Sequence, residues 1–216
     1  MKIFEDRREA GRQLAALLAQ DEALAHGRRL VVLAIPRGGL PVGVEVARVL
    51  GAAFDVAVVR KLRTPQNPEL GFGAVDSDGY VEIDEAMVSR LGLSEEEIQV
   101  EIEDRQRVIA SRLALFRSVV PAVDLRDAAV IVVDDGIATG GTARQACHLA
   151  RRLGAAWVVL AVPVAPPRVA DEFAEAADRV VVLSEPAEFI AVGQAYKEFD
   201  QLDDEASMDV LREFSG

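Results

Sequence analysis

Residues 129–146 read AVIVVDDGIATGGTARQA, and the rest of the chain can be placed around them. Val130 to Val133 is a short, wholly apolar, β-branched run, the pattern of a strand buried on both faces. Two carboxylates follow, Asp134 and Asp135, and then a loop of small and hydroxylic residues, Gly136 to Thr142. A helical pattern begins at Thr142 and runs to about Leu153. The first amides of a helix have no intrahelical partner and carry part of a positive charge, so they attract an anion. Glycines let the backbone approach a phosphate closely, and Thr139 and Thr142 add hydroxyl donors. Carboxylates repel phosphate. The pair therefore makes sense beside sugar hydroxyls, on a ligand with a phosphate at one end and a diol next to it. A plain turn between a core strand and a helix would explain the glycines but not the acid pair.

Two familiar phosphate loops are excluded. A Walker A loop needs a lysine before the hydroxyl residue, and here Gly141 precedes Thr142. A dinucleotide fingerprint needs glycines at GxGxxG spacing, which this loop lacks. The stretch VIVVDDGIATGGT resembles the phosphoribosyl-pyrophosphate (PRPP) motif of the type I phosphoribosyltransferases: four apolar residues, two acids, then a threonine-glycine loop. The resemblance implies an α/β, Rossmann-like fold: a mostly parallel central sheet flanked by helices, a mobile lid insertion and a small C-terminal hood. It implies that Asp134 and Asp135 are the catalytic acids and that Ala138, Thr139, Gly140, Gly141 and Thr142 hold the 5′-phosphate.

Composition sets the wider limits. The 216 residues suit one domain, and half of them are hydrophobic, enough for a sizeable core. No apolar run reaches the length of a membrane span, so no membrane partner is expected. The first residues, MKIFEDRREAGRQ, lack a signal-peptide apolar region. Cys147 is the sole cysteine, which excludes an internal disulfide or a thiolate metal cluster. These features fit a cytoplasmic protein. A net charge of -12 argues against general nucleic-acid binding.

Along the chain, Arg7 to His26 has the stripe of an amphipathic helix, with His26 in a capping position and Gly27 ending it. Leu30 to Ile35 reads as a buried strand running into Pro36-Arg37-Gly38-Gly39, with a helix from about Pro41 to Leu50. Phe54 to Val59 reads as the next strand, closed by Arg60 and Lys61. Residues 62–73 read as a Pro/Asn/Gly-rich loop, and Asp76-Ser77-Asp78-Gly79 as the turn of a hairpin. Ser94 with Glu97 forms a capping box for a helix reaching Arg117, whose many charges read as a solvated face. Trp157 to Val162 and Val180 to Leu183 read as strands, with a helix from Pro166 to Ala177 between them. The acidic segment from Gln201 ends in a short helix. Cys147, His148 and Trp157 read as structural.

The resemblance assigns further residues. Arg37, Gly38 and Gly39, with Arg60 and Lys61, would bind pyrophosphate. A lid lies at about 62–120, where Glu69 is either a surface carboxylate or an acid-base group. A hood lies at about 184–216. SEPAEFIAVGQAYKEF loosely resembles the base-contacting part of purine phosphoribosyltransferases, so Phe189 or Ile190 either stacks on an acceptor ring or sits in the core. The implied reaction moves the 5-phosphoribosyl group of PRPP to a nitrogen acceptor, a nucleobase, with release of pyrophosphate. Mg²⁺ would be bound through PRPP and water, with no side chain directly assigned. A homodimer is implied in the same way. The 6-oxopurine enzymes carry an aspartate inside the phosphate loop, where this chain has Ala138, which puts hypoxanthine and guanine in doubt. The alternative is a regulator that binds PRPP or a nucleotide without catalysis.

Overall fold

The computed structural model describes residues 2–22, 24, 27–65, 67 and 70–215. The elements, in chain order, are α1 (Arg7–Leu18), β1 (Leu30–Ala34), α2 (Gly39–Leu50), β2 (Ala53–Val56), β3 (Val59–Arg63), β4 (Gly71–Asp76), β5 (Val81–Ile83), α3 (Glu85–Leu91), α4 (Glu95–Arg117), β6 (Ala129–Val133), α5 (Gly141–Arg152), β7 (Trp157–Val164), α6 (Val169–Glu172), β8 (Arg179–Ser184) and α7 (Asp204–Ser215). A short 3₁₀ turn spans Val192–Ala195.

The central sheet has the order β2-β1-β6-β7-β8. Every pairing in it is parallel. All five residues of β6 are buried, as expected of a middle strand covered on both faces. One apolar layer lies between the sheet and α1, α2 and α7, with Leu14, Val42, Val46 and Leu211 packed against Val32, Ile131 and Val159. The opposite face carries α5, with Ala146, Cys147 and Leu149 against Val130, Val132 and Leu160. The strand order turns back between β1 and β6, because the chain leaves β1 for β2 on one side and β6 for β7 on the other. In open α/β sheets a ligand crevice forms at that reversal, beyond the strands' carboxyl ends.

The anticipated mostly parallel sheet is present, but several segments differ. The stretch expected as one strand, Phe54 to Val59, divides. β2 ends at Val56, the Ala57 amide still donates to Ala34 O at 2.9 Å, and β3 then begins a second sheet at Val59. That sheet is antiparallel, of order β3-β4-β5. Arg60 and Lys61 therefore lie inside β3 rather than at a strand end. Much of the expected loop at 62–73 is strand, because β3 runs on to Arg63 and β4 starts at Gly71. Gln66, Pro68 and Glu69 lie outside the described residues.

The first helix stops at Leu18, since the chain turns there to bring the Asp21 carboxylate to Arg179 on β8, 2.7 Å away. The proposed cap His26 lies outside the described residues. Between β7 and β8 only Val169–Glu172 is helical. Pro166 and Pro167 have no amides to donate, and Arg168 is left-handed at φ 65°. The capping box is present at α4, and α7 ends the described chain.

The second sheet is tied to α5 by charge. Asp76 ends β4 with its side chain almost wholly enclosed and pairs with Arg152, whose guanidinium also lies 3.9 Å from the Tyr80 ring centroid. Burial is the main cause that raises the Asp76 pKa, and Arg152 opposes it. Arg152→Met should therefore cost roughly 3 kcal/mol at pH 8 in urea unfolding, since it strands a buried carboxylate. The loss should shrink toward pH 4, because the raised pKa brings Asp76 closer to taking up its proton there. An equal loss at both pH values would contradict this account.

Candidate active site

The crevice at the β1/β6 reversal is a cleft of about 640 Å³. Its floor is made where two turns meet. The first leaves β1 through Ile35-Pro36-Arg37-Gly38 and enters α2. The Ile35 amide donates to Val133 O at 2.8 Å, which extends the β1–β6 ladder by one rung and sets the turn beside the acid pair. The Pro36–Arg37 peptide is cis. Gly38 lies against Asp135 so closely that a Cβ would overlap the carboxylate, and a Cβ on Gly39 would press on Val133 O and Asp134. Glycine is needed at both positions because the two turns touch.

The second turn leaves β6. Asp134 accepts the Asp135 amide on Oδ1 at 2.9 Å, and Asp135 Oδ2 accepts from Arg7 Nε at 2.8 Å. The Tyr196 hydroxyl donates to the Asp135 carbonyl at 2.5 Å. Gly136 is wedged against Val164 and Val192, and the Ile137 amide donates to Val164 O at 2.9 Å, so the loop is pinned at its base. Gly140 takes φ 75° as the N-cap of α5. Beyond the pin, Ala138, Thr139, Gly141 and Thr142 are exposed. A cavity of about 150 Å³ lies between Gly136 and Ala143, at the amide end of the 12-residue α5. Unpaired amides at a helix N-terminus attract an anion, so the cavity has the form of an anion cup.

The electrostatics divide the cleft. Asp134 is pushed well above the ordinary carboxylate range, first by burial and then by Asp135. Burial also raises Asp135, against the lowering effect of Arg7. Opposite them the cleft is basic: Arg37, Arg60, Lys61, Arg63, Arg105 and Arg112 all line it. Arg60 is lowered to about 10 by burial and by its neighbours Arg112, Arg37, Arg105 and Arg63. Asp204 Oδ1 lies 3.7 Å from both Arg37 and Arg112.

Thus Arg37, Gly38, Arg60, Lys61, Asp134, Asp135 and Thr142 share one cleft, and Ala138 to Thr142 form the adjoining cup. Phe189 and Ile190 are placed elsewhere. Phe189 packs against the cluster of Phe4, Val164 and Tyr196, and Ile190 is 88% exposed. From the same C-terminal segment, Phe199, Gln201 and Leu202 reach the cleft instead. Arg105 and Arg112, expected on a solvated face, also face inward. Their seven-residue spacing puts them on one side of α4 and was the available signal. Arg7 had no local signal, because its partner is 128 residues away. Cys147 is buried, its thiol pushed up to about 12 mainly by desolvation, in keeping with a structural role. His148 lies 3.5 Å from Glu82 of β5. Among the described residues no group of three or more His, Cys, Asp or Glu could hold a metal ion. Nor is any described helix long and apolar enough to cross a membrane.

A phosphoribosyl transferase domain model matches residues 2–198, and the chain belongs to that family. It is 46% identical over 206 residues to Rv0571c, a Mycobacterium tuberculosis protein provisionally named a phosphoribosyl transferase. The alignment covers 95% of this chain and 45% of the relative, so the chain spans about half the length of that protein. The crystal structure of TT1426 from Thermus thermophilus superposes with a TM-score of 0.82 at 36% identity, covering 100% of both chains. The AQ2163 protein of Aquifex aeolicus shares the fold at a TM-score of 0.50 and 14% identity, over 82% of this chain and 73% of its own.

Two buried like charges should cost the free protein stability. The folded pKa of Asp134 lies above its unfolded value. The stability linked to its proton is therefore present at low pH and lost as pH rises through the folded pKa. Asp134→Asn keeps an acceptor for the Asp135 amide and removes the charge. It should raise Tm at pH 8, by about 2–4 °C per kcal/mol recovered, with the gain vanishing near pH 3. A drop in Tm at pH 8 would contradict the burial of a charged pair.

Proposed function

We propose that this chain, as a member of the phosphoribosyl transferase family, transfers the 5-phosphoribosyl group of PRPP to a nitrogen acceptor, with release of pyrophosphate. One observation carries the reading. The acid pair lies between two anion-attracting regions, the cup before α5 and the arginine-lined cleft. A ligand with a phosphate at one end, a diol in the middle and a diphosphate at the other end matches that order of charge. Few other metabolite shapes would.

In this reading the amides and hydroxyls from Ala138 to Thr142 hold the 5′-phosphate, with the α5 dipole behind them. Asp134 and Asp135 accept the ribose hydroxyls. As the C1–oxygen bond to diphosphate breaks, positive charge develops on the ring, as in glycoside hydrolysis, and the two carboxylates stabilise it. Arg37, Arg60 and Lys61 take the charge that accumulates on the departing diphosphate, with backbone support from Gly38 and Gly39. The acceptor nitrogen then bonds to C1 in place of the diphosphate oxygen, and its proton passes to solvent. Magnesium held through the diphosphate oxygens and water would supply charge neutralisation for the leaving group. The segment 62–120 carries β4, β5, α3 and α4, and it excludes water from the reactive sugar.

The acceptor lies against Phe199 and Leu202, which supply an apolar wall near Asp135, while the Gln201 amide both donates and accepts. That combination suits a planar nitrogen heterocycle. With Ala138 in the loop, there is no acid there to receive a purine N7 proton, which speaks against 6-oxopurines.

The test is pyrophosphate release from PRPP and magnesium across a panel of nitrogen bases. Release with one class of acceptor is expected, and Asp135→Asn should cut turnover by about 10²–10³ with the fold intact. Phe199→Ala should raise the acceptor KM at least tenfold and leave the PRPP KM within about twofold. Tight PRPP binding with no release for any acceptor would instead make the protein a PRPP-binding regulator.

A further inference from the structure

Arg7 has a place in the cleft that the reaction described above does not use. It is the first residue of α1, and its backbone is set by Asp6, whose carboxylate caps the helix by accepting the Glu9 amide at 2.7 Å. The side chain is 11% exposed and makes three contacts, one to the turn after β6 and two to neighbouring residues of the C-terminal segment. Nε donates to Asp135 Oδ2 at 2.8 Å, and Nη1 donates to the Asp200 carbonyl at 3.0 Å. The guanidinium lies 4.0 Å from the Phe199 ring centroid. A Cβ on Gly38 would overlap the same Oδ2, so the Gly38 backbone also stands close to the carboxylate. One oxygen of Asp135 is thus committed to a cation, with a bare glycine beside it.

We propose that Arg7 is a positioning residue for transfer: it clamps Oδ2 of Asp135 so that the charged carboxylate presents Oδ1 to the ribose, and it holds Phe199 at the acceptor wall. The proposal rests on the assignment of Asp135 to the ribose hydroxyls. It adds that donor and acceptor halves of the cleft are set by the same side chain, supplied from the far end of the chain.

The electrostatic setting supports this. Two adjacent buried carboxylates resist sharing a negative charge, and a single close cation is the direct way to keep one of them ionised. The groups facing Asp135 are few. Asp134 comes from the end of β6, Arg7 from α1, Gly38 from the turn before α2, and the Tyr196 phenol bonds only the Asp135 carbonyl. Burial raises the phenol's pKa, so it stays neutral across the working range. Arg7 is the cation that acts on both acids.

The test uses the full chain and the variants Arg7→Lys and Arg7→Gln. The first readout is the carboxyl titration of the free protein, followed by NMR with labelled aspartate. The second is kcat/KM for PRPP against pH. Arg7→Gln should move the acidic titration of the pair, and the acid limb of the rate profile, upward by about one pH unit, a tenfold loss at the foot of the limb. Arg7→Lys, which keeps charge but loses the flat stack on Phe199, should hold the limb near its original place while raising the acceptor KM. A uniform loss at all pH values in Arg7→Gln, with carboxyl titration unmoved, would overturn the proposal and leave Arg7 a structural tie. If Arg7→Gln does not fold, an unshifted limb and unraised acceptor KM in Arg7→Lys would overturn the claim on Phe199, and a limb shift as large as one unit would overturn the claim on charge. If no acceptor is turned over at all, the transferase reading fails, and the carboxyl titration still decides the role of Arg7.

Discussion

Two carboxylates sit side by side, largely out of water, at the carboxyl end of the strand that the rest of the sheet is arranged around. That arrangement is unfavourable in isolation, because burial and mutual repulsion both raise the acids' pKa values. The fold sustains it through neighbours brought from distant parts of the chain. α1 contributes Arg7, the turn after β1 contributes the bare backbone of Gly38, and the C-terminal segment contributes the Tyr196 hydroxyl. In the proposed reading, the unfavourable pair serves a site that needs negative charge beside a sugar and positive charge on either side of it.

The parallel sheet explains why these pieces meet. Adjacent parallel strands end on the same edge, so the turns after β1 and β6 emerge side by side, and the reversal of strand order between them opens a crevice. The last rung of the ladder, from the Ile35 amide to Val133 O, brings the two turns into contact. The second sheet and α4 add a wall of arginines across that crevice. Arg60 stands among four other arginines in a partly buried position, a repulsion that a bound polyanion would offset.

The legible parts of this design were local. The apolar run 130–133, the acid pair and the glycine-threonine loop lie within one strand-turn-helix unit, and their chemistry could be read in order. The glycine turn at 37–39 was legible for the same reason. The break between β2 and β3 was hidden, because Phe54 to Val59 is apolar apart from Asp55 and periodicity carries no sign of a change of sheet. The arginines of α4 looked like any solvated helix face, since a cleft and bulk water call for the same residue types. Arg7, Phe199 and Gln201 became part of the site only through tertiary packing; Phe189 and Phe199 both pack against the cluster around Phe4, but only Phe199 also lines the cleft.

The most direct test of the account is a crystal structure with a carbocyclic, non-reactive analogue of PRPP and magnesium. The account predicts the pentose hydroxyls on Asp134 and Asp135, the 5′-phosphate on the amides of residues 138–142, and the diphosphate against Arg37 and Arg60. An analogue bound in the reverse sense, with its diphosphate in the cup before α5 and its hydroxyls away from the acid pair, would contradict it.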